Sequence, residues 1–325
     1  MKEYGGYLSF ELPKKREYFH NISGGKIAKL NSGRTAFWYA AKNIRPSKVY
    51  VPYLNCPNSV DPFIKQGIEC VFYRLDQDLM PLGVEPKKNE AILWVNYYGN
   101  FSDQQIASVS ERYQNTNLII DNCHAFFAKP LSGCYNCYST RKFFGVPDGA
   151  YLIADDLEKI NLSTSVSYDQ ASFMLEAIDF GTNAAYPNHL KNEDRLAAAD
   201  EELMSKLTRR ILESVDYDSI KRIRRKNLLK LHAFFESSNE FPVNLHSETH
   251  MFYPLLVHKD GLRERLIARR VFMPTLWRHV PDYFSKDVLE TELTKYMLLL
   301  PIDQRYGEED MNEIADIVSC EIKKE

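Results

Sequence analysis

The stretch AILWVNYYGNFSDQQIASVSERYQNTNLIIDN, residues 91–122, decides the fold. It has an apolar run at each end, over 91–99 and 117–122, and an amphipathic helical pattern over 102–114 between them. Apolar runs that flank a helix predict two parallel strands, because parallel neighbours need a crossover, which is usually a helix. Such runs also indicate strands that are covered on both faces. The stretch therefore predicts a β-α-β unit of an α/β domain.

The same alternation extends on both sides of this unit, from residue 31 to residue 154. We predict a central sheet that is mostly parallel and that carries helices on both faces. The further predicted elements are a helix over 31–43, a strand over 48–52, a helix over 58–67, and strands over 69–75 and 149–154.

Helical periodicity replaces this alternation after residue 166. We expect a large domain with an N-terminal arm over 1–190, a helical connector over 191–240, and a smaller C-terminal α/β domain over 241–325. The predicted elements of the later parts are helices over 170–180, 192–215, 217–237, 261–270 and 308–322, and strands over 251–257 and 271–274.

Composition excludes several classes of protein. The chain has 325 residues, of which 44% are hydrophobic, enough to bury a large core. Its 41 basic and 44 acidic residues leave a net charge of -3, which gives no field that would gather nucleic acid. No window offers the roughly eighteen apolar residues that a membrane-spanning helix needs. The six cysteines are scattered along the chain, without the density of a disulfide scaffold, so we expect reduced thiols. We expect a soluble, cytoplasmic protein with neither a nucleic-acid nor a membrane partner.

Three stretches place polar residues next to the ends of predicted elements. NSGRTA, residues 31–36, opens a helix, and the first backbone N–H groups of a helix attract an anion such as a phosphate. IIDNCH, residues 119–124, ends a strand on Asp121, and YSTRKFFGVPDG, residues 138–149, carries Lys142 at a turn. In open α/β sheets, ligands bind beyond the carboxyl ends of the strands. We therefore expect the three stretches to form one site.

An anion cradle, a carboxylate and a lysine in this order suggest pyridoxal phosphate. That cofactor needs a site for its phosphate, a carboxylate that keeps its pyridine nitrogen protonated, and a lysine amine that forms an imine. The structural alternatives for single residues are a helix cap at Ser32, a turn former at Asp121 and a surface salt bridge at Lys142.

Five motifs stand in a fixed order over most of the chain. They are LNSGRTA, VPYLNCPNSVDPFIKQGIECVFYRLD, VNYYGNFSDQQIASVSERYQNTNLIIDNCHA, YSTRKFFGVPDGAYL and LLLPIDQRYGEEDMNEIADIV. With these motifs the sequence resembles the DegT/DnrJ/EryC1/StrS family of sugar aminotransferases, as a short, divergent member. The resemblance implies the fold-type I scaffold and pyridoxal 5'-phosphate as cofactor.

The resemblance also implies a role for each matching residue. Lys142 would bind the cofactor covalently and transfer the proton, and Asp121 would pair with the pyridinium nitrogen. Gly33 would offer its backbone N–H to the phosphate. His124 stands where the family usually has a glutamine. The cofactor-binding residues implied in this way are Ser32, Gly33, Arg34, Thr35, Tyr98, Asp121, His124, Ser139 and Lys142.

The activity implied by the resemblance is amino transfer from an amino acid, of which glutamate is typical, to a keto-sugar that is linked to a nucleotide. Such reactions belong to sugar biosynthesis, for example for a cell-surface polysaccharide. The same resemblance implies a homodimer, because fold-type I enzymes place their cofactor sites at a dimer interface.

The sequence departs from the family's pattern at several positions. Cys56 stands where an aromatic ring often stacks on the cofactor, so stacking comes from elsewhere, with Tyr53 or Tyr97 as candidates, or is absent. The family often sends an asparagine into the partner's phosphate site from a loop. Here that loop offers Asn183, Asn188 and Asn192 without a basis for choice.

Two other functions compete with the aminotransferase. Cys123, His124, Cys134 and Cys137 could supply four ligands to a structural zinc ion. A protein that binds pyridoxal phosphate as a regulator, or that uses it for other chemistry, would keep Lys142 and lack transaminase activity.

Overall fold

The main sheet of the protein has seven strands. The computed structural model describes residues 4–23, 25–284 and 288–324. In chain order the strands are β1 (Ile27–Leu30), β2 (Lys48–Pro52), β3 (Glu69–Tyr73), β4 (Ala91–Val95), β5 (Asn117–Asp121), β6 (Cys134–Ser139) and β7 (Ala150–Ile153). They lie side by side in the order β1-β7-β6-β5-β4-β2-β3.

The sheet is mostly parallel. Strands β2, β3, β4, β5 and β6 all pair in parallel with their neighbours in this group. Strand β7 is antiparallel to both of its neighbours, β6 and β1. Because two reversals restore the direction, β1 runs the same way as the parallel strands. Their carboxyl ends therefore meet at one edge of the sheet, which we call the carboxyl edge. There Asp121 lies in register with Val95 and Cys137.

Helices cover both faces of this sheet. On one face, α1 (Gly33–Ile44) and α2 (Pro57–Ile64) pack into a core with Leu93. On the other face, α3 (Asp103–Arg112) joins a larger core that contains Trp94. Leu93 and Trp94 are adjacent in β4 and point to opposite faces, as the two-residue period of a strand requires. The continuous apolar run at 91–95 is therefore buried throughout.

A helical hairpin follows the main sheet. It consists of α4 (Ser172–Phe180) and α5 (Thr182–Ala198), which pack along one another. Its outer side carries large apolar residues that face solvent: Ile178 is 81% exposed and Phe180 is 75% exposed. Two further helices, α6 (Lys206–Leu212) and α7 (Tyr217–Phe235), lead from the hairpin to a second sheet.

The second sheet has two antiparallel strands, β8 (Phe252–Leu256) and β9 (Met297–Pro301). Its core contains Leu231 of α7, Leu266 of α8 (Leu262–Ala268) and Met311 of α10 (Glu308–Lys323). The remaining helix, α9 (Leu289–Tyr296), leads directly into β9. None of the helices within the described ranges is long and apolar enough to cross a bilayer.

The predicted fold class is confirmed, and several predicted elements are wrong. Residues 271–274 are not a strand. The helix predicted over 192–215 is interrupted between α5 and α6, and β1, β6, β9 and α9 were not predicted. Strand β6 is hidden in the sequence by the polar Asn136, which is fully buried and whose amide donates to the carbonyl oxygen of Leu131 at 2.9 Å. The domain boundaries stay predictions.

His258 joins two segments of the small C-terminal region. Its Nδ1 lies 2.7 Å from Glu240 and its Nε2 lies 2.5 Å from Glu292 of α9. Partial burial acts to lower the pKa of His258, but the hydrogen bonds and charges of Glu240 and Glu292 outweigh it and raise that pKa above 6.5. The bridge therefore stabilises the fold fully below about pH 6.5, and this contribution is lost as the pH rises through the raised pKa.

We expect His258→Gln to lower the free energy of unfolding by about 0.5–1 kcal/mol at pH 6, the range for exposed ion pairs, and by less at pH 9. Urea unfolding at the two pH values measures the difference. The exposed His246 provides a matched control, His246→Gln, whose effect should not depend on pH in this way. An equal loss at both pH values for His258→Gln would contradict the charged bridge.

Candidate active site

The carboxyl edge brings the three predicted stretches together. Strand β1 leads into Ser32 at the start of α1, β5 ends on Asp121, and β6 ends on Ser139. Lys142 follows Ser139 on the turn between β6 and β7. Because β1, β5 and β6 run the same way, their following residues lie on the same side of the sheet. The prediction that the three stretches form one site requires this arrangement.

The start of α1 offers backbone N–H groups. Ser32 caps the helix, since its Oγ accepts from the N–H of Thr35 at 3.2 Å. Gly33 and Arg34 are the first two residues of the helix, where backbone N–H groups have no partner within the helix. Gly33 lies next to the end of β5, since a Cβ added to it would stand 3.4 Å from the Sγ of Cys123, which is van der Waals contact. These groups suit an anion at the carboxyl edge.

The side chains of Arg34 and Thr35 are committed elsewhere. The guanidinium of Arg34 donates to the carbonyl oxygens of Leu196, Ala197 and Ala199 at the end of α5. A cation at a helix C-terminus is stabilised by the helix dipole. The Oγ1 of Thr35 donates to Oδ1 of Asn31 at 2.6 Å. Arg34 therefore has only its backbone N–H group to offer a ligand, whereas the backbone N–H of Thr35 is taken by the Oγ of Ser32.

Asp121 is a buried carboxylate at the end of β5. It is 8% exposed, and its Oδ1 accepts from the backbone N–H of Cys123 at 2.8 Å. Burial raises the pKa of the Cys123 and Cys137 thiols well above 9, and the negative charge of Asp121 raises both further. The two thiols are therefore neutral, and Asp121 carries the negative charge of this part of the site.

Lys142 is the cation of the site. Its side chain is exposed and makes no hydrogen bond or ion pair within the described ranges. The pKa of His124 is lowered well below 6.5, first by burial and then by the charge of Lys142. Lys142 therefore lies close to His124, whose imidazole is neutral. A lysine without a partner beside a buried neutral imidazole is free to react.

The turn that carries Lys142 is held rigidly. Asp148 is fully buried, and its Oδ1 and Oδ2 accept from the Oγ and the backbone N–H of Ser205 at 2.8 and 3.0 Å. On the other side, Arg141 forms an ion pair with Glu193 of α5. Gly149 has a φ of +121° and approaches Thr140 so closely that an added Cβ would stand 2.4 Å from its Oγ1. The backbone around Lys142 is thus held on both sides, while its side chain is exposed.

Among the buried polar atoms without a hydrogen-bond partner in the part of the chain described, two belong to stacked rings at the carboxyl edge. They are Nδ1 of His124 and the hydroxyl of Tyr98. His124 is 5% exposed and Tyr98 is 1% exposed. Most buried polar atoms in proteins have a partner, so atoms without one indicate that a ligand supplies it.

The structure decides several alternatives that the sequence left open. Tyr53 packs against Phe284 with 4.7 Å between ring centroids, and Tyr97 donates its hydroxyl to the carbonyl oxygen of Leu54 at 2.8 Å. Both predicted stacking residues are therefore occupied by other contacts. The segment with the three asparagines was predicted as a loop but lies in α5. The side-chain amide of Asn188 donates to the carboxylate of Glu176, and that of Asn192 donates to the carbonyl oxygen of Pro147. Asn183 is exposed.

Sequence reasoning missed Asn96 and gave no role beside the cofactor to Trp277. Asn96 follows β4, is fully buried, and leaves its Oδ1 without a partner among the described residues. An asparagine directly after a predicted strand was the available signal. Trp277 packs on the ring of His124 at 5.7 Å. Trp277 and His124 are 153 positions apart in the chain (277 − 124), so no local pattern signals this contact.

The zinc alternative is wrong. No group of three or more histidine, cysteine, aspartate or glutamate side chains among residues 4–23, 25–284 and 288–324 could hold a metal ion. Cys134 and Cys137 are three positions apart in β6, so their side chains point to opposite faces of the sheet. Cys134 accordingly belongs to the core of α3 and contacts Ser110 at 3.2 Å, whereas Cys123 and Cys137 belong to the core of α1.

The same arrangement of elements occurs in solved aminotransferase structures. The chain aligns with the aminotransferase TlmJ from Streptoalloteichus hindustanus at a TM-score of 0.62 and 14% identity, over 93% of this chain and 87% of that one. The protein has the fold of these sugar aminotransferases. A DegT DnrJ EryC1 StrS aminotransferase from Brucella abortus gives a TM-score of 0.60 and 15% identity, over 92% of this chain and 86% of that one.

A third structure with this fold is DesV from S. venezuelae in complex with a ketimine intermediate. Its TM-score is 0.62 at 16% identity, over 92% of this chain and 85% of that one. No family profile and no curated protein matches the sequence. The predicted fold-type I scaffold is thus confirmed by structure, at identities too low for sequence comparison to detect.

Proposed function

We propose that this protein is a pyridoxal-phosphate-dependent aminotransferase that moves an amino group from an amino acid to a keto-sugar. The observation that carries the proposal is the unpartnered Lys142, which lies at the carboxyl edge together with Asp121 and the start of α1. The sugar aminotransferase fold supports it, since neighbours of this fold are described as PLP and PMP forms of a sugar aminotransferase from Streptococcus pneumoniae.

The residues present fit the cofactor. The backbone N–H groups of Gly33 and Arg34 and the hydroxyl of Ser32 would hold the phosphate, together with Ser139, which ends β6 and is 8% exposed. The buried carboxylate of Asp121 would keep the pyridine nitrogen protonated by charge pairing. The unpartnered nitrogen of His124 and hydroxyl of Tyr98 would find their partners on the same molecule.

In this role the chain's own residues bind and move protons. The bound cofactor would supply an electron sink for the carbon that loses its proton. The Lys142 side chain is exposed and makes no hydrogen bond or ion pair among the described residues, so its amine would be free to take that proton as a general base and return it as a general acid. Burial keeps the neighbouring thiols of Cys123 and Cys137 neutral, so neither thiol adds a negative charge to the site.

We propose an amino acid such as glutamate as the donor and a nucleotide-linked keto-sugar as the acceptor. One support is that a neighbour of the same fold, DesI, was solved in the presence of its TDP-sugar product, at a TM-score of 0.58 and 16% identity. The biosynthesis of a sugar, such as one for a cell-surface polysaccharide, would be the setting.

We also propose that the protein works as a homodimer. The outer side of the α4–α5 hairpin supports this, because it exposes a row of large apolar residues that monomers seldom leave in water. They are Leu175, Ile178, Phe180, Tyr186 and Leu190. Light scattering should give twice the chain mass, and Ile178→Glu should give the monomer.

An absorbance spectrum tests the proposed function. Purified protein with added pyridoxal phosphate should show a band near roughly 410–430 nm from the lysine-bound cofactor, and excess glutamate should replace it with a band at shorter wavelength. The same experiment with D-glutamate is the matched control. No band would overturn the cofactor, and a band that every tested amino acid leaves unchanged would favour a regulator.

A further inference from the structure

Trp277 has a strained backbone. Its φ is +54°, in the left-handed region that bulky residues rarely adopt. It lies between α8 and α9, in a stretch without regular structure, and its side chain is half-buried. Strained residues persist where their surroundings hold them in place, and they cluster at functional sites. We therefore expect a contact of the Trp277 side chain to hold its backbone in this conformation.

The Trp277 ring closes an aromatic cluster at the carboxyl edge. Its centroid lies 5.7 Å from that of His124 and 5.8 Å from that of Tyr98. The rings of Tyr98 and His124 are stacked, with 6.3 Å between centroids and 19° between planes. Tyr98 is also left-handed, with a φ of +60°. Two strained aromatic residues, from the large sheet and from the small C-terminal region, thus meet at one imidazole.

Anchoring of the loop does not depend on Trp277 alone, although the Trp277 ring also packs on the main core and on Tyr97, at 5.6 Å between centroids. Val280 is fully buried in the main core and Phe284 packs on Tyr53, so these residues fix the loop to the large sheet. Leu276 adds a further apolar contact to that core. Trp277 is the loop residue in ring contact with His124, and Nδ1 of His124 has no partner within the described ranges. The contact therefore concerns the orientation of the imidazole.

We propose that Trp277 is a positioning residue, which holds the imidazole of His124 so that its unpartnered nitrogen meets an oxygen of bound pyridoxal phosphate. This inference rests on the proposed function. The ring oxygen and the phosphate of the cofactor both accept hydrogen bonds, and a neutral imidazole with hydrogen on Nδ1 can donate one. Binding of the cofactor is thereby coupled to the small C-terminal region, which supplies Trp277.

The coupling can be measured with pyridoxal phosphate as the probe. Trp277→Ala and His124→Ala should each weaken its dissociation constant by about tenfold, the effect of one lost hydrogen bond of about 1.4 kcal/mol. The double variant should be no weaker than His124→Ala alone, because Trp277 acts through His124. Both single variants should shift the maximum of the cofactor band in the same direction.

Two variants separate positioning from general damage to the loop. Leu276→Ala removes a neighbouring apolar side chain and should leave both the dissociation constant and the band unchanged. Trp277→Leu keeps apolar bulk without a flat ring and should behave as Trp277→Ala does, so it serves if the alanine variant does not fold. Additive effects of Trp277 and His124, or a Trp277→Leu protein with the wild-type constant and band, would overturn this inference alone. A wild-type protein without a band would overturn the proposed function with it.

Discussion

Lys142→Ala should abolish amino transfer. Loss of the amine removes both the covalent attachment of the cofactor and the group that transfers the proton, so we expect turnover to fall by at least about 10²–10⁴-fold, the range for a general acid-base group. The fold should not change, because the Lys142 side chain is exposed and makes no hydrogen bond or ion pair within the described ranges. Conversion of glutamate by the loaded protein in a single turnover measures the effect.

A second lysine provides the matched control for this prediction. Lys65 ends α2, is also exposed, and lies outside the carboxyl-edge site. Lys65→Ala should retain the rate and the absorbance band of the wild type. The unfolding midpoint of Lys142→Ala should match that of Lys65→Ala. If Lys142→Ala kept its turnover and its band, Lys142 would not be the catalytic amine and the proposed function would fail.

Gly99→Ala should give the largest loss of stability. Gly99 follows β4 with a φ of +71°, and an added Cβ would stand 2.4 Å from the carbonyl oxygen of Thr249 and 2.6 Å from that of His124. Both atoms belong to backbone that cannot rotate away. We expect the free energy of unfolding to fall by about 4 kcal/mol, from strain and overlap together. Urea unfolding followed by circular dichroism measures it.

Gly133→Ala isolates the overlap from the backbone strain. Gly133 has nearly the same φ, +75°, but no atom lies within 4 Å of its added Cβ. Its substitution should therefore cost only about 1 kcal/mol, as alanine in the left-handed region does. Gly99→Ala should also weaken pyridoxal phosphate binding, since the displaced carbonyl belongs to His124. Equal losses for the two variants would show that the packing around Gly99 is not tight.

The sequence by itself determined the α/β class and the place of Asp121 at the end of a strand. Short apolar runs such as 91–95 and 117–120 can bury both faces only as strands of a covered parallel sheet, and this constraint is local. A residue at a strand's carboxyl end, such as Asp121, then has its place fixed by topology alone. The polar start of α1 and the turn at Lys142 were recognised from their own residues, because the strands before them, β1 and β6, were not predicted.

Only the tertiary structure decided which groups remain free to react. Arg34 and Thr35 belong to the predicted cradle, yet their side chains are engaged by α5 and Asn31. The four residues predicted as alternative zinc ligands do not come together, because β6 places Cys134 and Cys137 on opposite faces of the sheet. Trp277 reaches His124 from a distant part of the chain. A local pattern fixes where a backbone goes, but the partners of a side chain come from packing between segments far apart in sequence, and no local pattern encodes them.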